Sequence, residues 1–419
     1  MYGLIGEKLG HSFSKEIHEQ LADYEYQLIP LNRAEFVRFM EEKPFTAINV
    51  TIPYKEAVIP YLAELDETAA AIGAVNTIIN QNGRLIGYNT DYWGIFYLLR
   101  AHGLSFAGKK LMILGSGGTC KTITAVAKKQ GAEEIIVVSR SGGDYQPGQG
   151  GIVSYEAAAE ITDVEMIINA SPRGMYPNNQ EEPFDLANYP HLEAVLDVIY
   201  NPLRTALLVE AEARGIPAVG GLEMLVSQAK YAAEYFLGQS IPEERIQQIY
   251  QQILWRLTNL VLIAMPGAGK TTIGKLLAEE LQRQFVDLDE AIVQQAGCSI
   301  PKIFAAGGEE RFRKLEAEQV QQTAKQTGLV IATGGGVIKQ PQNIKALRQN
   351  GVIFFLDRDL AKLQVGGGRP LSSNHAAVAE LYRQRYPIYQ AASQYQIDNN
   401  GQPQEAVEQI KAKLKEAFL

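Results

Sequence analysis

Two stretches, Leu111–Cys120 (LMILGSGGTC) and Leu260–Thr271 (LVLIAMPGAGKT), decide how this chain folds. Each is a short apolar run that breaks into glycines and is followed by a segment of helical spacing. A run of this length bounded by glycine reads as a buried strand, and the glycines let the backbone turn sharply and come close to a ligand. The helix that follows then opens with unsatisfied N–H groups, a ready site for phosphate. The two loops differ in kind. Gly115, Gly117 and Gly118 have the spacing that cradles a dinucleotide pyrophosphate. In the second loop Gly267, Ala268, Gly269 and Thr272 offer backbone amides to a nucleoside triphosphate, Lys270 reaches its transferring end and Thr271 can hold Mg²⁺. Two such loops imply two nucleotide cofactors and two reactions.

Outward from the loops, strand and helix patterns alternate almost end to end, as at Glu134–Val138, Glu165–Ile168 and Gly351–Phe355. That alternation predicts an α/β protein with mostly parallel sheets: a substrate domain and a Rossmann-like dinucleotide domain, followed by a P-loop domain. The chain's 419 residues exceed one ordinary core, and about 150 residues per domain gives two or three. The boundaries expected are 1–100 for the substrate domain, completed by helices at about 222–250; 101–221 for the dinucleotide domain; 251–258 for a linker; and 259–419 for the triphosphate domain. Val75–Gly87 reads as a hairpin, a helix is expected from Asp91 to about Gly103, and Gly142–Gly151 reads as a flexible loop. Apolar spacing from Ile246 to Trp255 predicts a helix that packs on something, which keeps a homodimer open.

The apolar fraction of 46% and charged fraction of 21% are those of a soluble globular protein. A formal net charge of -8 leaves no basic footprint for nucleic acid or an anionic membrane. Cys120 and Cys298 cannot make a disulfide framework, which fits a reducing compartment. With no leader-like start and no apolar run of bilayer length, a cytoplasmic location is expected.

Taken alone, Gly115-x-Gly117-x-x-Cys120 is a weak signal, because many tight strand-to-helix turns carry glycines. The next strand strengthens it. It ends in Ser139-Arg140, where an NAD site would place an acidic residue for the ribose hydroxyls; a hydroxyl and a cation suit the 2′-phosphate of NADP instead. Upstream, Lys55 and Asp91 each sit in a polar, turn-rich context. Near a bound ketone such a pair could stabilise a developing alkoxide and supply its proton. The plainer alternative is that Lys55 caps a helix and Asp91 starts one.

Seven blocks in order, Gly10–Ser14 (GHSFS), Asn49–Lys55 (NVTIPYK), Ile72–Thr77 (IGAVNT), Tyr88–Asp91 (YNTD), Asn169–Met175 (NASPRGM), Asp197–Thr205 (DVIYNPLRT) and Gly221–Gln228 (GLEMLVSQ), resemble shikimate dehydrogenase over residues 1 to about 240. The resemblance implies that Ser12, Ser14, Thr51, Asn76, Tyr200 and Gln228 hydrogen-bond the substrate's hydroxyls and carboxylate. It makes Lys55 and Asp91 the catalytic pair and sets Gly221 and Met224 against the cofactor. Lys15 and Glu19 stand where the family usually has Pro and Asn, for which altered helix capping is expected; Ser171 replaces the usual Thr, and Ser139 the common Asn.

In the second loop Ala264 stands where the phosphate-loop pattern begins with Gly, so its backbone angles decide whether the loop can form. Downstream, Phe285–Asp289 (FVDLD) reads as a strand end with two carboxylates on one side, one for Mg²⁺ and one to take a hydroxyl proton. Glu309–Arg313 (EERFR), Gly334–Gly336, Gly366–Leu371 (GGGRPL) and Arg385–Tyr389 (RYPIY) supply cations and glycine segments suited to an anionic acceptor and a closing lid. Each could singly be a solvated helix face or a turn.

Together with Ser299–Phe304 (SIPKIF) and Gly308–Glu316, this set resembles shikimate kinase across roughly residues 258–419. The resemblance implies that Thr271 and Asp287 hold Mg²⁺, that Lys270 serves the transferring phosphate and that Asp289 binds and deprotonates the acceptor hydroxyl. Arg313 and Arg385 would clamp the acceptor's carboxylate with Gly334, Gly335 and Gly336, and Arg369 would enter from a lid. That lid, Asp359–Gly368, is short for the family, which predicts a raised KM for ATP. The expectation is one polypeptide with two reactions: NADPH-dependent reduction of 3-dehydroshikimate to shikimate, then phosphorylation of shikimate by ATP. Two rivals stand beside it. One is an NAD-dependent quinate or shikimate dehydrogenase joined to a kinase of another hydroxy acid, and the other a dehydrogenase with a nucleotide-binding regulatory module.

Overall fold

The computed structural model describes residues 1–10, 12–363 and 375–418. It divides into two compact units, Met1–Asn201 with Leu207–Tyr250, and Pro202–Ala206 with Gln251–Leu419. The first unit holds two sheets and the second holds one.

The first sheet runs Tyr26–Pro30, Tyr2–Gly6, Ala47–Val50, Thr77–Gln81, Arg84–Tyr88, Glu64–Leu65 in spatial order, with the first three strands parallel. Thr77–Gln81 and Arg84–Tyr88 form the expected hairpin. Its two-residue turn is Asn82-Gly83, both at positive φ (54° and 91°), as a twist-matched hairpin turn requires. Helix Thr90–Ala101 leaves the end of this hairpin and packs on helix Gly221–Leu237, which also lies against helix Ser14–Leu21. Residues more than a hundred positions apart thus converge at the ends of the first sheet's strands.

The second sheet orders its strands Ala218–Val219, Ala194–Asp197, Met166–Asn169, Lys110–Leu114, Glu134–Val138, Gly150–Val153, Tyr145–Gln146. All pairs are parallel except the last. Lys110–Leu114, buried along most of its length, is central and feeds the dinucleotide loop. The expected flexible loop at 142–151 is instead partly an antiparallel edge pair. Gly150 and Gly151, at φ of 78° and 142°, sit so close to Ile135 and Asp144 carbonyls that a side chain there would collide.

In the second unit five parallel strands lie in the order Gln284–Asp287, Leu329–Ala332, Asn259–Ile263, Gly351–Asp357, Tyr395–Asp398. Asn259–Ile263 is buried throughout and feeds the triphosphate loop. Two expectations change here. The linker placed at 251–258 is almost wholly helical, because Glu244–Leu257 is one continuous helix. The apolar positions of that helix, Ile246, Ile249, Ile253 and Leu257, are buried within the chain itself. They therefore give no support to a homodimer. Among the described residues, no helix is long and apolar enough to cross a membrane.

Candidate active sites

In the first unit, Lys55 Nζ lies 2.5 Å from Asp91 Oδ2. Asp91 stands in the first turn of helix Thr90–Ala101, where backbone N–H groups favour a carboxylate. Its other oxygen, Oδ1, accepts from Asn76 Nδ2 at 2.9 Å. Asn76 Nδ2 also reaches Gln228 Oε1 at 3.4 Å, while Gln228 is steadied by its own Nε2 donating to the Leu225 carbonyl at 2.9 Å. Lys55, Asp91, Asn76 and Gln228, drawn from four segments, therefore form one connected polar group. An ion pair, rather than helix capping, accounts for the lysine.

The serine loop is internally organised. Ser12 Oγ donates to Ser14 Oγ at 3.0 Å and accepts from Ser14 N at 3.2 Å. Between them Phe13 stands with its ring centroid 5.7 Å from that of Tyr200, whose hydroxyl is kept protonated by burial. Thr51 packs its methyl over Gly6, where an added Cβ would stand 2.6 Å away. Lys15 and Glu19 do something other than cap their helix. Lys15 Nζ donates to Glu19 Oε1 (2.8 Å) and to the Tyr26 carbonyl (2.9 Å), and Tyr26 N donates to Glu19 Oε1 (3.3 Å), so the pair clips the helix to the neighbouring strand.

The dinucleotide loop fits the group expected in it. Gly115 has φ 105° and is packed against Ala170, and helix Gly118–Gln130 begins after Gly117 with no side chain capping it, which leaves its N–H groups for a pyrophosphate. A Cβ on Gly118 would lie 3.6 Å from Lys55 Cδ, so the start of this helix adjoins Lys55. Ser139 is buried just past strand Glu134–Val138, and Arg140 beside it is exposed. Gly221 N donates to the Ile199 carbonyl at 3.0 Å, and any Cβ there would strike Val198, so the turn lies flat on the strand end beside Tyr200. Met224 is buried one turn further on.

In the second unit the triphosphate loop forms despite Ala264. Its left-handed positions are Gly267 (φ 83°) and Gly269 (φ 88°), whereas Ala264 is fully buried with an ordinary backbone. Lys270 Nζ donates to the loop carbonyls of Ala264 (3.1 Å) and Met265 (3.3 Å), and Thr272 follows Thr271 in the first turn of helix Lys270–Glu280. Thr271 Oγ1 donates to Asp287 Oδ2 at 2.7 Å, which sets together a hydroxyl and a carboxylate for Mg²⁺. Among the described residues no cluster of three or more acidic, His or Cys side chains could hold a metal. A Thr–Asp pair fits Mg²⁺, which keeps waters and phosphate oxygens as its remaining ligands.

The paired aspartates do not share a strand face as expected. The strand ends at Asp287, whose Oδ1 accepts from Asp289 N at 3.0 Å and caps the helix Leu288–Ala296. Asp289 is thus on the first turn of a helix. Gly334, Gly335 and Gly336 form the hub of this site. A Cβ on Gly334 would stand 2.7 Å from Asp289 Oδ1, one on Gly335 2.8 Å from Pro266, and one on Gly336 2.2 Å from Arg313 Nη2. Arg385 Nη1 and Tyr389 Oη donate to the Gly335 carbonyl at 2.8 and 2.6 Å. Asp289, the phosphate loop and two arginines therefore meet around three residues without side chains. Arg369 and the lid residues from 364 onward lie outside the described residues; of the expected lid, only 359–363 are described.

Several participants escaped the sequence reading. Thr90 N donates to Asn76 Oδ1 at 2.7 Å and so orients that amide. Glu316, buried and three residues beyond Arg313, accepts from it at 2.7 Å; burial pushes its carboxyl above the usual range, against the pull of Arg313. The i,i+3 spacing from Arg313 was the available signal. Arg313 is also held by Glu309 at 3.0 Å.

Both halves of the chain match known protein families. The model of the shikimate dehydrogenase substrate binding domain matches residues 4–78, and that of shikimate kinase matches residues 266–415. The chain is 34% identical over 268 residues to shikimate dehydrogenase (NADP(+)) of Clostridium perfringens strain SM101, covering 61% of this chain and 99% of that protein. The Streptococcus pneumoniae enzyme of the same name is 36% identical, covering 58% and 94%. Among solved structures, a chorismate mutase/shikimate 5-dehydrogenase fusion protein from Clostridium acetobutylicum superposes with a TM-score of 0.56 at 35% identity, covering 60% of this chain and 96% of that one. The chain belongs to the shikimate dehydrogenase family and carries a shikimate kinase domain in the same polypeptide.

Proposed function

We propose that the first unit reduces 3-dehydroshikimate with NADPH and that the second phosphorylates the resulting shikimate with ATP. The observation that carries the first half is the Lys55–Asp91–Asn76–Gln228 group with the start of the dinucleotide helix beside Lys55. Gly115, Gly117, Gly118, Ser139, Arg140, Gly221 and Met224 would hold NADPH, which would supply the hydride for the ketone carbon. The Lys55 ammonium stabilises the charge that grows on the ketone oxygen and hands it a proton, leaving a hydroxyl. Asp91 holds that ammonium in place, and solvent returns the proton to Lys55. Ser12, Ser14, Thr51, Asn76, Tyr200 and Gln228 receive the substrate's hydroxyls and carboxylate.

In the second unit Asp289 takes the proton of the acceptor hydroxyl while Lys270 stabilises the transferring phosphoryl group. Mg²⁺, held by Thr271 and Asp287, would neutralise phosphate charge. Arg385 and Arg313 receive the acceptor's carboxylate beside Gly334–Gly336, Arg313 by exchanging its half-exposed partner Glu309. The domain boundaries adopted for this reading are 1–100 with 221–250, 101–220, and 251–419, and the setting is the cytoplasm.

Purified protein given NADPH and 3-dehydroshikimate oxidises the cofactor, and given shikimate and ATP releases ADP. Asp289→Asn lowers only the second rate, by about 10²- to 10⁴-fold, the usual worth of a general base, and Lys55→Met lowers only the first. Absence of NADPH oxidation with 3-dehydroshikimate sinks the first assignment. Persistence of shikimate-dependent ADP release in Asp289→Asn sinks Asp289 as the base, whereas absence of ADP release from the unaltered protein sinks the second assignment and favours a regulatory module.

A further inference from the structure

We infer that Tyr26 is a positioning residue for the reduction, acting on Asp91 through a buried chain of hydrogen bonds that all point one way. The Tyr26 hydroxyl donates to Asn49 Oδ1 at 2.7 Å. Asn49 Nδ2 donates to Thr77 Oγ1 at 3.0 Å and to the Asn76 carbonyl at 3.2 Å. Thr77 Oγ1, having received one proton, donates its own to Asn76 Oδ1 at 3.0 Å, and Asn76 Nδ2 donates to Asp91 Oδ1 at 2.9 Å. Every member is buried: Tyr26 and Thr77 have no exposure, and Asn49, Asn76 and Asp91 are 4%, 3% and 6% exposed.

The polarity of this chain is held at several points, and the Tyr26 hydroxyl is the outermost of them. An amide can present either its oxygen or its nitrogen, and a threonine hydroxyl can turn either way. The tyrosine hydroxyl offers one proton to Asn49 Oδ1 and the Asn76 carbonyl accepts one from Asn49 Nδ2, and the two together hold the Asn49 amide with its oxygen toward Tyr26 and its nitrogen toward Thr77. Thr77 Oγ1, which also lies 3.2 Å from Thr90 Oγ1, then donates to Asn76 Oδ1 beside a second hydroxyl donor, Thr90 Oγ1, so the Asn76 nitrogen is the end that faces the catalytic carboxylate. Thr90 N supports the same orientation of Asn76. Removing the Tyr26 hydroxyl takes away the donor that holds the Asn49 oxygen, so the Asn49 amide and the Thr77 hydroxyl beyond it are less firmly placed. Thr77 is one of three donors to Asn76 Oδ1, with Thr90 N and Thr90 Oγ1, and its loosening leaves the Asp91 carboxylate less firmly held against Lys55. In a buried network of this kind each bond strengthens its neighbours.

Tyr26 is itself held to a degree that ordinary core packing does not need. Its ring stacks on His18 at 4.1 Å with 5° between planes. Its backbone N–H and C=O are taken by Glu19 and Lys15, the pair that departs from the family pattern. Both main-chain groups and the ring are thus fixed by helix Ser14–Leu21, whose first residue is the substrate-facing Ser14. The serine loop and the Asp91 chain are anchored by the same clip.

The inference rests on the Lys55–Asp91 reading above, and the test separates the two. Tyr26→Phe keeps the ring and deletes the hydroxyl. It is expected to lower kcat for 3-dehydroshikimate reduction about three- to tenfold, the worth of one internal hydrogen bond, with both KM values within about twofold. The kinase activity of the same chain stays unchanged and reports that the protein is folded. Asn49→Ala should reduce kcat at least as much, and adding Tyr26→Phe to it should change nothing further, since the chain is already broken. Lys15→Met, which loosens the clip alone, should show a smaller loss in kcat of the same kind. An unchanged kcat in Tyr26→Phe overturns the proposal, as does an effect that multiplies with that of Asn49→Ala. If Lys55→Met keeps full reductase activity, the catalytic reading itself has failed, whatever Tyr26→Phe does.

Discussion

His18 shows how a single residue couples this fold to pH. It has no exposure, lies between Tyr26 and Phe236, and its Nδ1 is 2.6 Å from the Tyr24 hydroxyl. Burial pushes its pKa down from 6.5 to about 3, against a weaker raising contribution from Asn49. The folded state therefore keeps His18 neutral where the unfolded chain protonates it. Because the unfolded chain binds the extra proton, stability is full above pH 6.5 and is lost as the pH falls toward 3, by about 1.4 kcal/mol per unit for this one group. His18→Gln removes that slope. Urea unfolding of the first unit, followed by Trp93 fluorescence in a Trp255→Phe background between pH 7 and 4.5, should show the wild type losing about 2.7 kcal/mol more than the variant across the range. Equal slopes would mean that His18 is solvated in the native state. Nothing in the sequence singled this histidine out, because a histidine at helical spacing is as readily exposed as buried until the strand beneath it is known.

At the scale of elements, the strand-to-helix turns were legible and the contacts between distant turns were not. The two glycine loops and the 77–88 hairpin follow from local backbone chemistry, where φ and turn length dictate residue type. The aspartate pair was misplaced because alternation along a strand cannot reveal that Asp287 ends it by capping the next helix. Gly334–Gly336 read only as a glycine segment suited to an acceptor, yet each position touches a different part of the site. The consequence is sharpest at Gly336, where a Cβ would stand 2.2 Å from Arg313 Nη2. Arg313 cannot retreat easily, since Glu309 and Glu316 hold it on other sides. Gly336→Ala should push the guanidinium aside at a cost of about 1–3 kcal/mol, which is roughly ten- to hundredfold in kcat/KM for shikimate, with KM for ATP little changed. Steady-state kinetics with each substrate varied in turn decides it. A rise confined to the ATP KM would contradict the placement of Arg313 at the acceptor.

At the scale of the whole molecule, the division of labour between the units makes a kinetic statement. Every described residue assigned to the reduction, from Ser12 to Gln228, falls in the first unit, and every described residue assigned to phosphoryl transfer, from Gly267 to Arg385, falls in the second. The described residues assigned to each reaction thus come from a single unit. Shikimate released by one unit is then available to any copy of the other. An equimolar mixture of Lys55→Met and Asp289→Asn chains, each carrying one intact half, should convert 3-dehydroshikimate to shikimate 3-phosphate with the same progress curve as wild-type protein at equal concentration of each active site. Both should show the same lag while free shikimate rises toward the KM of the kinase. Adding unlabelled shikimate should dilute label from 3-dehydroshikimate equally in both. A wild-type curve without the lag, or label that resists dilution only in the wild type, would show that the joined chain passes its intermediate directly, and that the fusion does more than fix the two activities in equal number.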